Sequence, residues 1–333
     1  RNGETGEHDW KGYVPFDLMP SIYNPDEGYV SSANNKTVDD NYPFYISDGF
    51  ALPYRINRIR EMIGEKEVMN TDDFIRMIHD QHSDYAALLT PFIIRGAEGG
   101  NGLTDTEASA MAALRDWDYD MNKDLSAPLI FEFFTDSFIK NLLSDELGEL
   151  FSELPGLKGD YYIYRILRTG PDEWVDDIST AEKETLDMII SKSFRECVSE
   201  LSGRFGADAS AWKWGDIHTI TIEHPLASVK ILDRIFKLNS VTYRAGGSNH
   251  TVSPYSFSKD FKVDNGASER HIFNTADWDE SLTIIPTGNS GIPASEFYLS
   301  QTENYVGGKM YRDHFTENAV RSNAKYKLVL LPE

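Results

Sequence analysis

The spacing of apolar positions changes twice along this chain. The first 50 residues mix Gly, Pro, Asn and aromatics without a helical period, and short apolar pieces such as Gly28-Tyr29-Val30 read as strands between turns. From Pro53 the apolar positions recur at helical spacing: Ile56, Ile59, Met62 and Ile63 share one face, closed by Gly64. Thr71 opens a longer helix that runs through Phe74, Ile78 and Leu88 and is interrupted or ended near Pro91. Thr104 and Glu107 form a capping-box pattern for the next, which reaches about Trp117. Residues 127–147 predict a helix that is apolar on most sides and therefore largely buried. The segment Ser179-Thr180-Ala181-Glu182 has the pattern of a second capping box, with its helix reaching about Gly206. Beyond Trp212 the spacing drops towards alternation, and 219–222, 241–243, 270–274, 281–285 and 326–331 read as strands.

The order is irregular strands, a helical block, then strands, which predicts an α+β fold whose strand-rich ends meet and flank a helical lobe. The boundaries expected are 1–52, 53–212 and 213–333. There is no internal repeat, low-complexity tract or long Pro/Gly-rich linker.

Charge narrows the partners. A net charge of −22 argues against nucleic acid, whose phosphates are neutralised by clustered Lys and Arg. The acidic residues are dispersed, as on a solvated surface. No run is long and apolar enough to span a membrane. The single cysteine, Cys197, lies in an amphipathic stretch where a buried structural thiol is expected rather than a nucleophile. The chain opens on Arg1 rather than Met, so a missing targeting segment carries no information.

Most familiar chemistry is missing: there is no Gly-x-Ser-x-Gly elbow, phosphate loop, dinucleotide-binding pattern or paired-cysteine metal site. His79 and His82, with Asp80 and Asp84 nearby, lack a third spaced ligand and read as a solvated helix face. Gly246-Gly247-Ser248-Asn249-His250-Thr251 reads as a glycine-rich turn entering a strand. The segment from Asp9 to Arg55 says more. It runs Asp9-Trp10-Lys11-Gly12, Val14-Pro15-Phe16, Tyr23-Asn24-Pro25, Gly28-Tyr29-Val30, Ala33-Asn34-Asn35 and, at a helix start, Tyr54-Arg55-Ile56. A stiff backbone of this kind can present an Asn amide as hydrogen-bond donor to a developing oxyanion. By residue type alone, these Asn residues read rather as residues that close turns.

That succession closely resembles the penicillin acylase (penicillin amidase) family of N-terminal-nucleophile (Ntn) hydrolases. The family pattern is an Asp-Trp-x-Gly-x-x-Pro-Phe segment, an Asn-Pro-x-x-Gly-Tyr-Ile/Val segment, an Asn-Asn pair and an Arg at a helix start. Trp214-Gly215, His218, His224-Pro225-Leu226, Gly246-Gly247 and Gly288-Asn289-Ser290-Gly291 extend the similarity more thinly along the chain.

The resemblance implies part of an αββα Ntn-hydrolase fold and an amide hydrolase made from a self-cleaving precursor. In that mechanism a Ser at the start of the β-chain attacks, with its own α-amino group as base. Asn34 matches the oxyanion donor, Asn35 is the alternative register, and Arg55 matches the arginine that positions groups around the site. No nucleophile is expected in this chain, which resembles the later part of a β-chain. Its expected partners are the N-terminal α-chain and nucleophile segment of the same precursor and a small-molecule amide, and alone it is expected to be inactive. No cofactor is required. Structural calcium is left open for the complete protein, and Asp48, near one family calcium position but differently spaced from Arg55, is not assigned as a ligand. The family location is periplasmic or extracellular. An acyl-homoserine lactone acylase of the same family and a non-catalytic binding or scaffold module are the competing readings.

Overall fold

The computed structural model describes residues 3–99, 102–153, 159–238, 241–258 and 260–332. Residues 3–53 run as turns and extended coil with one 3-10 turn at Phe16–Leu18. No strand forms at Gly28-Tyr29-Val30, because no described segment offers these residues a ladder of partners. The arm makes a single parallel bridge, Asn35 to Ala51.

Helix α1, Tyr54–Gly64, begins directly after Pro53 and buries Tyr54, Ile56 and Met62. The longer helix expected from Thr71 is two helices, α2 at Thr71–Ile78 and α3 at Asp84–Glu98. Asn70 rather than Thr71 caps α2, through a reciprocal box with Asp73. The chain breaks between them where Arg58 clamps Asp80 and Ser83 caps the next helix. Consequently His79 and His82 do not share a helix face. The His79 ring is half-buried, bonding the Ile75 carbonyl and lying 3.3 Å from Arg270 Nη1, while His82 bridges to Asp120. Among the described residues no group of His, Cys, Asp and Glu is arranged to hold a metal ion.

Pro91 does not end α3. The lost backbone bond is outweighed by burial of Leu89, Ile93 and Ala97 on its inner face. Helix α4 is Asp105–Arg115, with the Thr104–Glu107 capping box formed as expected. Helix α5 is Ala127–Leu147, apolar nearly all round and buried through Leu129, Ile130, Phe131, Phe133, Phe134 and Phe138. Short α6 (Leu150–Glu153) and α7 (Gly159–Thr169) follow.

Helix α8 is Leu186–Phe205, capped by Thr185, and so starts later than the Ser179 box suggests. Thr180 is engaged by Glu184, Ser179 by Asp177, and Asp176 accepts from the Glu184 amide, so this stretch is held as a turn. Helices α3 and α5 pack on α8. The α3 crossing is close because Gly96 has no Cβ; one built there would stand 2.6 Å from Ile190. Cys197 is buried on α8, its Sγ 3.4 Å from the Ile130 carbonyl, and burial pushes its thiol pKa well up. It is a structural thiol.

The remaining third is strand-poor. β1 (Thr219–Thr221) pairs antiparallel with β2 (Thr242–Arg244), with α9 at Lys230–Phe236 between them. β3 (Arg270–Ile272), β4 (Leu282–Ile284) and β5 (Tyr311–Arg312) form a second antiparallel sheet in the order β3-β4-β5. α10 (Thr302–Val306) and α11 (Glu317–Asn323) complete the chain. Residues 326–331 are exposed and form no strand among the described residues, contrary to the expectation. The architecture is α+β, with a large apolar core in the helices and a small one around Ile220, Ala245, Tyr255, Ile284 and Tyr305. No described helix is long and apolar enough to cross a membrane.

Candidate active site

Asn34 sits at the end of the arm, where the arm meets α1. Its backbone is left-handed, at φ 61°, a conformation Asn tolerates better than most residues. Its carbonyl accepts from the Ala51 amide at 2.8 Å, so residues 34 and 51 are fixed side by side just before α1 begins. Arg55 leaves the first turn of α1 and donates from Nη2 to Asn34 Oδ1 at 2.9 Å.

This bond orients the amide. A guanidinium has only donors, so it must face the oxygen of Asn34, and Nδ2 is turned the other way. Asn34 is exposed, and its Nδ2 makes no hydrogen bond among the described residues. Asn35 differs: its Oδ1 accepts from the Ala33 amide and its Nδ2 donates to the Lys36 carbonyl, so both ends close a turn. The guanidinium of Arg55 forms no ion pair within the described residues, and burial lowers its pKa.

Beside Arg55 opens a cavity of about 420 Å³, walled by α1, α3, α5, α7 and by Asn249, His250, Phe257, Ser258 and Phe261. Glu132, Asp136 and Asp160 line it with Tyr85, Tyr161, Phe257 and Phe261. The turn after β2 supplies His250, whose Nε2 lies 3.4 Å from Asp160 Oδ2. The Gly246–Thr251 segment therefore leaves a strand rather than entering one. Its Ser248 and His250 amides are taken by the Thr251 and Ser248 hydroxyls, which removes them as an anion cradle. Burial lowers the pKa of His250, with Asp160 opposing, and the ring is neutral near pH 7. Burial also raises Glu132 to about 8, against a Ser248 hydrogen bond that lowers it. The Tyr161 hydroxyl donates to the Phe50 carbonyl and ties the arm to α7.

Sequence reading led to Asn34, Asn35 and Arg55, which the fold brings to one corner. It passed over Glu132, Asp160, His250 and Tyr85. One signal was available: Glu132 interrupts the apolar run Ile130-Phe131-Glu132-Phe133-Phe134 in a helix expected to be buried.

Comparison with known proteins bears on the whole chain. Two relatives match across 99% of it, an acyl-homoserine lactone acylase QuiP of Pseudomonas aeruginosa at 25% identity and a penicillin acylase 2 proenzyme of a Pseudomonas species at 26%. The chain spans 42% of the length of each. A penicillin G acylase of Escherichia coli is 31% identical over 34% of the chain, which there spans 14% of the relative. Among solved structures, a thermostable penicillin G acylase from Alcaligenes faecalis superposes with a TM-score of 0.67 over 98% of this chain and 61% of its own, at 16% identity, which shows a shared fold. The penicillin amidase family model matches residues 1–322, so the arm, the helical block and both small sheets are together part of one family pattern, and the chain belongs to the penicillin amidase family.

Proposed function

We propose that this chain carries the oxyanion donor of an amidohydrolase that releases an acyl group from an amine, the nucleophile coming from a part of the protein outside these 333 residues. The observation behind the reading is the Arg55–Asn34 bond, which turns one amide donor outward on a rigid corner. In the reaction, a Ser hydroxyl attacks the amide carbonyl while the α-amino group of the same residue takes its proton. The carbonyl oxygen becomes an oxyanion that accepts a hydrogen bond from Asn34 Nδ2. Collapse expels the amine, which leaves with the proton, and water then hydrolyses the ester to release the acid. Asn34 is preferred over Asn35 because the amide of Asn35 is already used at both ends. The reaction needs no cofactor, and the relatives' names fit either an acyl-homoserine lactone or a penicillin as the amide. A location outside the cytoplasm accompanies this reading.

In the complete enzyme, Asn34→Ala is expected to lower the acylation rate at least about a hundredfold, the scale for one oxyanion donor. A rate near that of the parent enzyme would remove Asn34 from the site. The 333-residue chain alone is expected to hydrolyse no aryl-acetyl anilide, and turnover that Asn34→Ala abolishes would overturn the need for an outside nucleophile.

A further inference from the structure

The cavity beside Arg55 has a charge pattern that oxyanion stabilisation leaves unexplained. Three acidic side chains line it, buried Glu132, partly exposed Asp160 and exposed Asp136, and none has a Lys or Arg within ion-pair distance among the described residues. Glu132 is buried in the second turn of α5. Tyr85 also lines the cavity and is 1% exposed, yet its hydroxyl has no hydrogen-bond partner among the described residues. The neighbouring Thr135 hydroxyl donates its one proton to the Phe131 carbonyl and so has none to give the Tyr85 oxygen. A buried hydroxyl oxygen without a donor costs free energy, and so does a buried carboxyl such as Glu132 without a cation. Both deficits face the same space, and one kind of ligand relieves both.

The ligand would need to be cationic, to answer the carboxylates, and to carry several N–H donors, to reach the Tyr85 oxygen as well. It would also need an apolar stem, since Tyr161, Phe257 and Phe261 supply ring surface, and such rings attract ammonium and guanidinium groups. A compact metal ion fits poorly, because no described acidic or His group is spaced to coordinate one. The volume of about 420 Å³ is within the range of small-molecule sites.

We propose that this cavity binds an organic cation, a primary ammonium or guanidinium on an apolar stem, held by Glu132 and Asp160 with the Tyr85 hydroxyl as a further acceptor. Because Arg55 belongs both to the cavity wall and to the Asn34 corner, the cation would be one end of the amide substrate or its amine product. This last step rests on the acylase reading; the binding itself does not.

The probe is phenethylammonium, titrated calorimetrically into the complete mature protein at about pH 9, above the value of about 8 to which burial raises Glu132, with phenethyl alcohol as neutral isostere. Saturable binding of the ammonium, at least about tenfold tighter than the alcohol, is expected, on the scale of a desolvated charge pair. Glu132→Gln and Asp160→Asn should each remove most of that preference while leaving binding of the alcohol unchanged, which also certifies that the variants are folded. Equal affinity for the two probes, no saturable binding, or a preference untouched by both variants would overturn the proposal. Asn34→Ala separates the two readings. If it abolishes hydrolysis but not ammonium binding, both stand; if hydrolysis persists with binding intact, the acylase role of Asn34 fails alone.

Discussion

The arm of residues 3–53 and the helical block behind it are both rich in apolar side chains, yet they behave oppositely. In the block, Leu89, Ile93, Phe134, Phe138 and Phe194 are fully buried where α3, α5 and α8 meet. In the arm, Trp10 is 96% exposed, Tyr13 99% and Tyr23 96%. Apolar content is therefore not what makes a core. Helical spacing gathers apolar residues on one face, which a second helix can cover, whereas the turns of the arm scatter them. The arm is held by a few bonds at its far end, among them Ala51 to Asn34 and Arg55 to Asn34. Asn34 thus combines an exposed side chain with a backbone bonded to Ala51 and an amide oxygen held by the first turn of α1.

Large-to-small changes test this contrast most severely. Phe134→Ala is expected to cost about 3–5 kcal/mol in urea unfolding, the range for a buried aromatic. A loss below about 1 kcal/mol would mean that the block collapses into the space left by the ring. Next in size is the effect of pH through Glu132. Its carboxyl is raised from 4.5 to about 8 in the fold, chiefly by burial. The unfolded chain therefore releases this proton first, so the stabilising contribution is complete below about 4.5 and is lost as pH rises to about 8. Between pH 5 and 8.5 the unfolding free energy should fall by about 2–4 kcal/mol more in the parent than in Glu132→Gln. Parallel pH profiles would show that a cation outside the described residues, or water, already meets this charge. His218 works in the opposite direction. Burial lowers it to about 4, so its contribution is lost as pH falls below 6.5 towards 4. The smallest effect belongs to the arm: Trp10→Ala should change stability by less than about 0.5 kcal/mol. A larger loss would show that the arm packs on something beyond the described residues.

Local signals in the sequence were reliable where one segment carried its own constraint. Residues 127–147 form the predicted helix with its predicted limits, the Thr104–Glu107 box forms, and α1 closes at Gly64. Expectations failed where the outcome depended on a partner. Residues 28–30 and 326–331 have strand composition but no strand beside them, and Pro91 was carried through by burial on its neighbours. The Ser179 box lost its hydroxyls to Asp177 and Glu184.

The candidate site divides in the same way. The order of motifs from Asp9 to Arg55 was enough to mark the penicillin amidase family and to point at Asn34 and Arg55, because those residues lie within one stretch of chain. The resemblance put Asn34 first and left Asn35 as the alternative register, and the amide orientation could not be read from it, since that is a matter of which side chain reaches which atom. Nor could it assemble the acidic cavity. Glu132, Asp160 and His250 come from α5, α7 and the turn after β2, and Tyr85 from α3. By itself the sequence determined helical periods, caps and a linear motif, all of which depend on neighbours a few residues away. Only the tertiary structure decided which acidic side chains face one cavity and that Glu132 lost its water there, because desolvation depends on everything packed around a group and not on its place along the chain.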